Sequence, residues 1–150
     1  MPVEFELEAY ADREMTMPRF TGSVARGILL RLLGRVEPRL SQELHEPNIR
    51  KAYSVTPLIF RSRRRLQDGY LLDPAYPLRL RFRFLTDGYA RALLEAFQSE
   101  DRFMVYEAFL RIASIRVSSR SYEELLSDSK PSETFRLIFK TPTCFSALNK

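Results

Sequence analysis

Residues 76–85 read YPLRLRFRFL, and their alternation is strict. Leu78, Leu80, Phe82 and Phe84 fall on one side of an extended chain, and Arg79, Arg81 and Arg83 on the other. A period of two marks a strand with one buried and one wet face. No other segment of the chain is as regular, so the rest is read around it. Downstream, Asp87 is placed to cap a helix through Phe97, with Ala90, Leu93, Leu94 and Phe97 on its apolar side. FMVYEAFLRIASIRV (103–117) then reads as one long strand or two short ones. Upstream, KAYSVTPLIF (51–60) reads as a strand, and RSRRRLQDGYLL (61–72) as an exposed loop or hairpin around Asp68–Gly69.

At the N-terminus Val3, Phe5 and Leu7 alternate with Glu4, Glu6 and Glu8, a second half-buried strand. A polar loop to Phe20 follows. Thr21 is placed to cap a helix whose apolar face is Val24, Ala25, Ile28, Leu29 and Leu32, and Gly34 to end it. Pro38 suits the first turn of a second, short helix, with Val36, Leu40 and Leu44 as its buried stripe and Pro47 and Asn48 as its stop. The order strand, helix, strand, strand, helix, strand predicts an α+β fold: a ferredoxin-like antiparallel sheet with its helices on one face. The arginines of 78–84 then belong to the open face, a surface that many RNA-binding modules use. Residues 118–133 read as a polar linker, and TFRLIFKTPTCF (134–145) as another strand. The expected organisation is a ferredoxin-like domain with its linker over 1–130, and over 131–150 the first strand of a second, incomplete domain.

Composition sets the class. The chain has 150 residues, 45% hydrophobic and 12% aromatic, which suits a single packed core rather than disorder. No run is apolar and long enough to span a bilayer, and MPVEFELEAY has no signal-peptide pattern. One cysteine, Cys144, forbids an internal disulfide and fits a reducing cytoplasm. Net charge is +5, and residues 61–91 hold eight arginines against three aspartates, an excess equal to that of the whole chain. The planar guanidinium donates two parallel hydrogen bonds to phosphate. Arg26, Arg50, Arg61, Arg63, Arg64, Arg65, Arg79, Arg81 and Arg83 are therefore the candidate RNA-binding residues.

The stretch SQELHEPNIRKAYS (41–54) holds His45, the single histidine, and Lys51, one of four lysines beside 20 arginines. Histidine titrates near neutrality, with an ordinary pKa of about 6.5, so it serves as acid or base with little tuning. RNA cleavage needs a group that moves a proton and a fixed cation that steadies charge on the phosphate. His45 and Lys51 are the candidate catalytic pair; a capping or solvated role is the plainer alternative for each. One His and one Cys do not make the usual soft metal site. No glycine-rich phosphate loop occurs. No metal or other cofactor is expected.

Three stretches together resemble the CRISPR-associated endoribonucleases that process precursor CRISPR RNA, members of the RAMP superfamily of ferredoxin-like proteins. They are FTGSVARGILLRLL (20–33), EPRLSQELHEPNIRKAYSVTPLIF (37–60) and FRLIFKTPTCF (135–145). The second is similar to the family's acidic-Pro-x-Leu, then Leu-His, then Lys-x-aromatic, then Ser/Thr-Pro-Leu. By this resemblance His45 matches the family's general acid/base histidine, and Lys51 a lysine that some members use. Some members also use a tyrosine in the first helix, where this chain has Leu30. The implied reaction is metal-independent attack of a 2′-hydroxyl on the adjacent phosphate. Family members carry two ferredoxin-like domains and a glycine-rich loop near the C-terminus; this chain has five glycines, none in such a loop. The resemblance thus implies the N-terminal half of such an enzyme, with CRISPR repeat RNA as substrate. A non-catalytic RNA-binding or scaffold module of a CRISPR ribonucleoprotein is the second reading. The apolar strand of 134–145 also predicts self-association, or pairing with a C-terminal domain or effector subunit.

Overall fold

A computed structural model describes residues 1–46, 51–136 and 138. The first strand, β1 (Val3–Ala11), buries Val3, Phe5, Leu7 and Ala9 on one face. The strand read first is β6 (Leu78–Phe84), and its four apolar residues are all buried. The two run antiparallel in the centre of one sheet, with Phe5 opposite Phe82 and Glu6 opposite Arg81. Outside β6 lies the short β3 (Tyr53–Val55). On the other side of β1 come β8 (Ala108–Ser119) and its hairpin partner β7 (Arg102–Val105). The sheet order is β3-β6-β1-β8-β7, antiparallel throughout. Two helices, α1 (Gly22–Val36) and α3 (Asp87–Ser99), pack on each other and over the apolar face. The ferredoxin-like expectation holds.

A smaller sheet of β2 (Thr16–Pro18), β5 (Gly69–Leu72) and β4 (Ser62–Arg65) stands beside the first. The segment read as a plain loop before Phe20 therefore contains a strand, and its Met15 and Met17 are buried. Gly69 pairs with Pro18, and a Cβ there would lie 2.0 Å from the carbonyl oxygen of Met17. Only glycine allows that approach.

Other expectations need correction. The strand of 51–60 is interrupted: β3 ends at Val55, and only a lone bridge from Ile59 to Arg79 resumes the pairing. Thr21 precedes α1, yet its buried hydroxyl donates to the carbonyl of Leu58 (3.3 Å) and caps nothing. Gly34 does not end α1; the helix continues to Val36, and Gly34 sits against Ser41 of α2 (Pro38–His45). A Cβ there would lie 3.4 Å from the Ser41 side chain, an ordinary contact. Asp87 is the first residue of α3 rather than its cap, and its carboxylate meets the N-terminal ammonium at 3.0 Å. The supposed linker contains α4 (Tyr122–Asp128). Ser121 Oγ accepts from the Glu124 amide (3.0 Å), and Glu124 Oε2 accepts from the Ser121 amide (2.8 Å), a full capping box. Tyr122 ties α4 to the end of β6 by donating to the carbonyl of Leu85 (2.8 Å).

Residues 103–117 resolve into the two-strand alternative, joined at Tyr106–Glu107, where Tyr106 takes a left-handed φ of 51°. β8 carries one extra residue, Ala113, between Ser114 opposite Glu8 and Ile112 opposite Ala9. Such a bulge bends a strand. The stop residues Pro47 and Asn48 and most of the strand expected over 134–145 lie outside the described residues; Phe135 and Ile138 are exposed. Among the described residues no helix is long and apolar enough to cross a membrane.

Candidate nucleic-acid interface and the His45 site

His45 is the last residue of α2 and is exposed, while its neighbour Leu44 is buried in the core. Arg26 fixes this end of the helix. Its Nη2 donates to the carbonyl of Leu44 (3.3 Å), and its Nε donates to the hydroxyl of Tyr53 (3.2 Å). One guanidinium thus ties the end of α2 to the start of β3. His45 follows one clamped residue directly, and the half-buried Lys51 lies two positions before the other. Arg26, expected to contact phosphate, makes both of these bonds within the protein. Arg50 lies outside the described residues.

A second tether runs from α3. The Tyr89 hydroxyl donates to Glu43 Oε1 (2.7 Å), and its ring stacks on Phe84 with centroids 5.8 Å apart. Burial, then the bond to Glu43, pushes the Tyr89 hydroxyl up to about 12, so it stays a donor at neutral pH. Neither tether was read from the sequence. The Lys-x-aromatic spacing pointed at Tyr53 without giving it a partner. Leu30, at the position where some family members place a tyrosine, is buried.

The arginine-rich segment is less free than its composition suggested. Across the open sheet face Arg79 meets Glu8 (2.7 Å), Arg81 meets Glu6 (3.0 Å) and Arg83 meets Glu4. The alternation of β6 and that of β1 are two sides of one charge ladder, neutral in sum. Arg63 pairs with Glu14 and with Asp73 (3.1 Å). The amide of Ala75 and then Arg63 hold the Asp73 carboxyl below its ordinary value. The Arg61 guanidinium lies 4.1 Å above the Tyr76 ring. Arg64 and Arg65, on the exposed edge strand β4, have no carboxylate partner among the described residues.

No family model matches this sequence, and no curated protein matches it. Solved structures do. The product of a Cas6-related gene from Pyrococcus furiosus aligns with a TM-score of 0.64 at 13% identity, over 81% of this chain and 49% of the other. A RAMP protein described as binding different RNA substrates aligns at 0.61 and 17% identity, over 79% and 49%. Cas6 in a product complex aligns at 0.55 and 27% identity, over 77% and 39%. The fold is that of the Cas6 and RAMP proteins. This chain spans about half, or less, of the solved structures it matches.

Proposed function

We propose that this chain is the N-terminal half of a CRISPR repeat endoribonuclease, with His45 as its proton-transfer group. The observation that carries the reading is the exposed His45 at a helix end clamped by Arg26, in a domain with the Cas6 and RAMP fold. A catalytic side chain needs a fixed backbone, and the clamp on the Leu44 carbonyl holds the chain directly before His45. In the reaction the 2′-oxygen attacks the adjacent phosphorus while the bond to the 5′-oxygen breaks. The 2′-proton leaves, the 5′-oxygen gains one, and the products are a 2′,3′-cyclic phosphate and a 5′-hydroxyl. His45 moves a proton at one of these oxygens. Lys51 steadies charge on the non-bridging oxygens. As written, the chemistry needs no metal.

The test supplies a second ferredoxin-like domain in cis or in trans. His45→Ala should slow cleavage of a repeat RNA by about two to four orders of magnitude, the usual worth of one acid/base group. Lys51→Ala should cost less, EDTA should change nothing, and end-labelling should find the cyclic phosphate. Undiminished cleavage by His45→Ala would falsify the role. The buried Leu30 favours a second reading, a non-catalytic RNA-binding or scaffold module. That module would bind the repeat and leave it intact.

A further inference from the structure

The open face of the sheet changes character along its length. At one end each β6 arginine has a carboxylate. At the other, past the bulge, β1, β8 and β7 bring Tyr10, Arg111 and Arg102 into one row. The next row along places Phe109 opposite Met104. These side chains alternate with the buried Phe103, Val105, Ala108 and Leu110, so they face away from the helices. Tyr10, Phe109 and Met104 are 39%, 40% and 43% exposed, and Phe109 and Met104 lie directly opposite each other where single exposed apolar residues are the norm.

Neither Arg102 nor Arg111 has a carboxylate partner among the described residues, and Arg102 lies 5.3 Å from the Phe109 ring centre. Just past β1, Asp12 beside Phe109 is already engaged: it pairs with Arg13 (3.1 Å) and accepts the Phe109 amide (2.9 Å). Around the outer edge of β7 the surface continues into an open cleft of about 840 Å3, lined in part by Arg31, Arg102 and Met104 and by Glu100, which pairs with Arg35. Arg31 donates to the Met104 carbonyl, which blocks further strand pairing at that point.

We infer that the open face of the β7–β8 hairpin is a stacking platform for unpaired RNA bases. The proposal rests on the RNA-binding reading above and adds to it a second surface. The platform runs from β1 to the sheet edge opposite β3, its outer strand β7 lying four strand spacings, about 19 Å, across the sheet from β3, on the face opposite the helices. Exposed aromatic rings stack on bases only when the bases are out of a duplex, and unpaired arginines between them meet the phosphates. Base-paired RNA offers this surface its phosphates alone.

Fluorescence anisotropy on the full chain tests it, using an adenosine-only RNA of about 12 nucleotides and the same strand paired with its complement. The single strand should bind more tightly than the duplex. Phe109→Leu should weaken single-strand binding by about 5- to 100-fold, and Phe109→Trp should restore it. Arg102→Gln and Arg111→Gln should each reduce the slope of log affinity against log salt by about 0.7. Unchanged binding by Phe109→Leu, a loss that Phe109→Trp fails to restore, or preference for the duplex each overturns the platform. If Phe109→Leu is silent while Arg64→Gln with Arg65→Gln abolishes binding, the platform falls and the RNA reading stands. No binding by the wild-type chain at low salt overturns both.

Discussion

Arg26 shows how much a single side chain decides in this domain. An arginine in an amphipathic helix looks like a solvent-facing charge, and nothing in GSVARG tells otherwise. Its role follows from the packing of α2 against α1, which brings the Leu44 carbonyl and the Tyr53 hydroxyl within reach. Arg26→Met keeps the length of the side chain and loses both bonds. It should cost about 1.5–3 kcal/mol in urea unfolding, the usual worth of hydrogen bonds from a charged donor. Repeat cleavage, where the second domain is supplied, should fall more than RNA binding does. Equal losses in both would mean that Arg26 contacts RNA after all. Asp12 makes a prediction about pH. The bond from Arg13, aided by the Phe109 amide, holds its carboxyl below the ordinary value. A depressed folded value means a contribution fully present above the ordinary range near pH 4 and lost as pH falls through the lowered value. Melting temperature should therefore drop on acidification, and Asp12→Asn should flatten that part of the profile.

At the scale of elements, periodicity was legible and partnership was not. The alternation of 78–84 and of Val3, Phe5 and Leu7 gave both central strands and their buried faces. It did not say that one strand's glutamates face the other's arginines, because cross-strand register is a property of the folded sheet. Cross-strand opposite charges contribute about 0.2–1 kcal/mol each. Exchanging one rung, Glu6→Arg with Arg81→Glu, should restore most of the stability that either change removes alone. The ladder also bears on RNA. If it keeps three arginines from phosphate, then Glu4→Gln, Glu6→Gln and Glu8→Gln together should raise RNA affinity and steepen its salt dependence. An unchanged affinity would mean that this face never meets RNA. The helix α4 was missed for another reason. Its capping box is visible in SYEE (121–124), but the polar residues around it read as a linker. Ser121→Ala should loosen α4 by about 0.5–2 kcal/mol, seen as lost amide protection over Tyr122–Asp128.

For the molecule as a whole, the net charge of +5 gives the coarsest test. RNA binding by the chain should weaken steeply as salt rises, since phosphate contacts release counterions. Binding that is flat with salt would refute an electrostatic interface. The apolar pattern of 134–145 predicts association through that segment, so sedimentation should find the full chain larger than a 1–130 truncation, and a monomeric full chain would contradict it. The ferredoxin-like order of elements was recoverable because each strand and helix carries its own period. The candidate site was read from the sequence only as the pair His45 and Lys51. What fixes their surroundings comes from α1, β3 and α3, and no spacing within 41–54 encodes those partners.

The glutamates of β1 also act before the sheet exists. Glu6 and Arg81 are 75 residues apart. At a synthesis rate of about 5–20 residues per second, the first strand waits about 4–15 seconds for its neighbour to be made. Through that interval Val3, Phe5 and Leu7 have no sheet to enter, and an apolar β-prone segment in that position is an aggregation hazard. Three carboxylates, one at every second residue, keep nascent copies apart by repulsion, and the late arrival of Arg79, Arg81 and Arg83 cancels the charge. The same three rungs thus leave the newborn strand charged and the paired strand neutral.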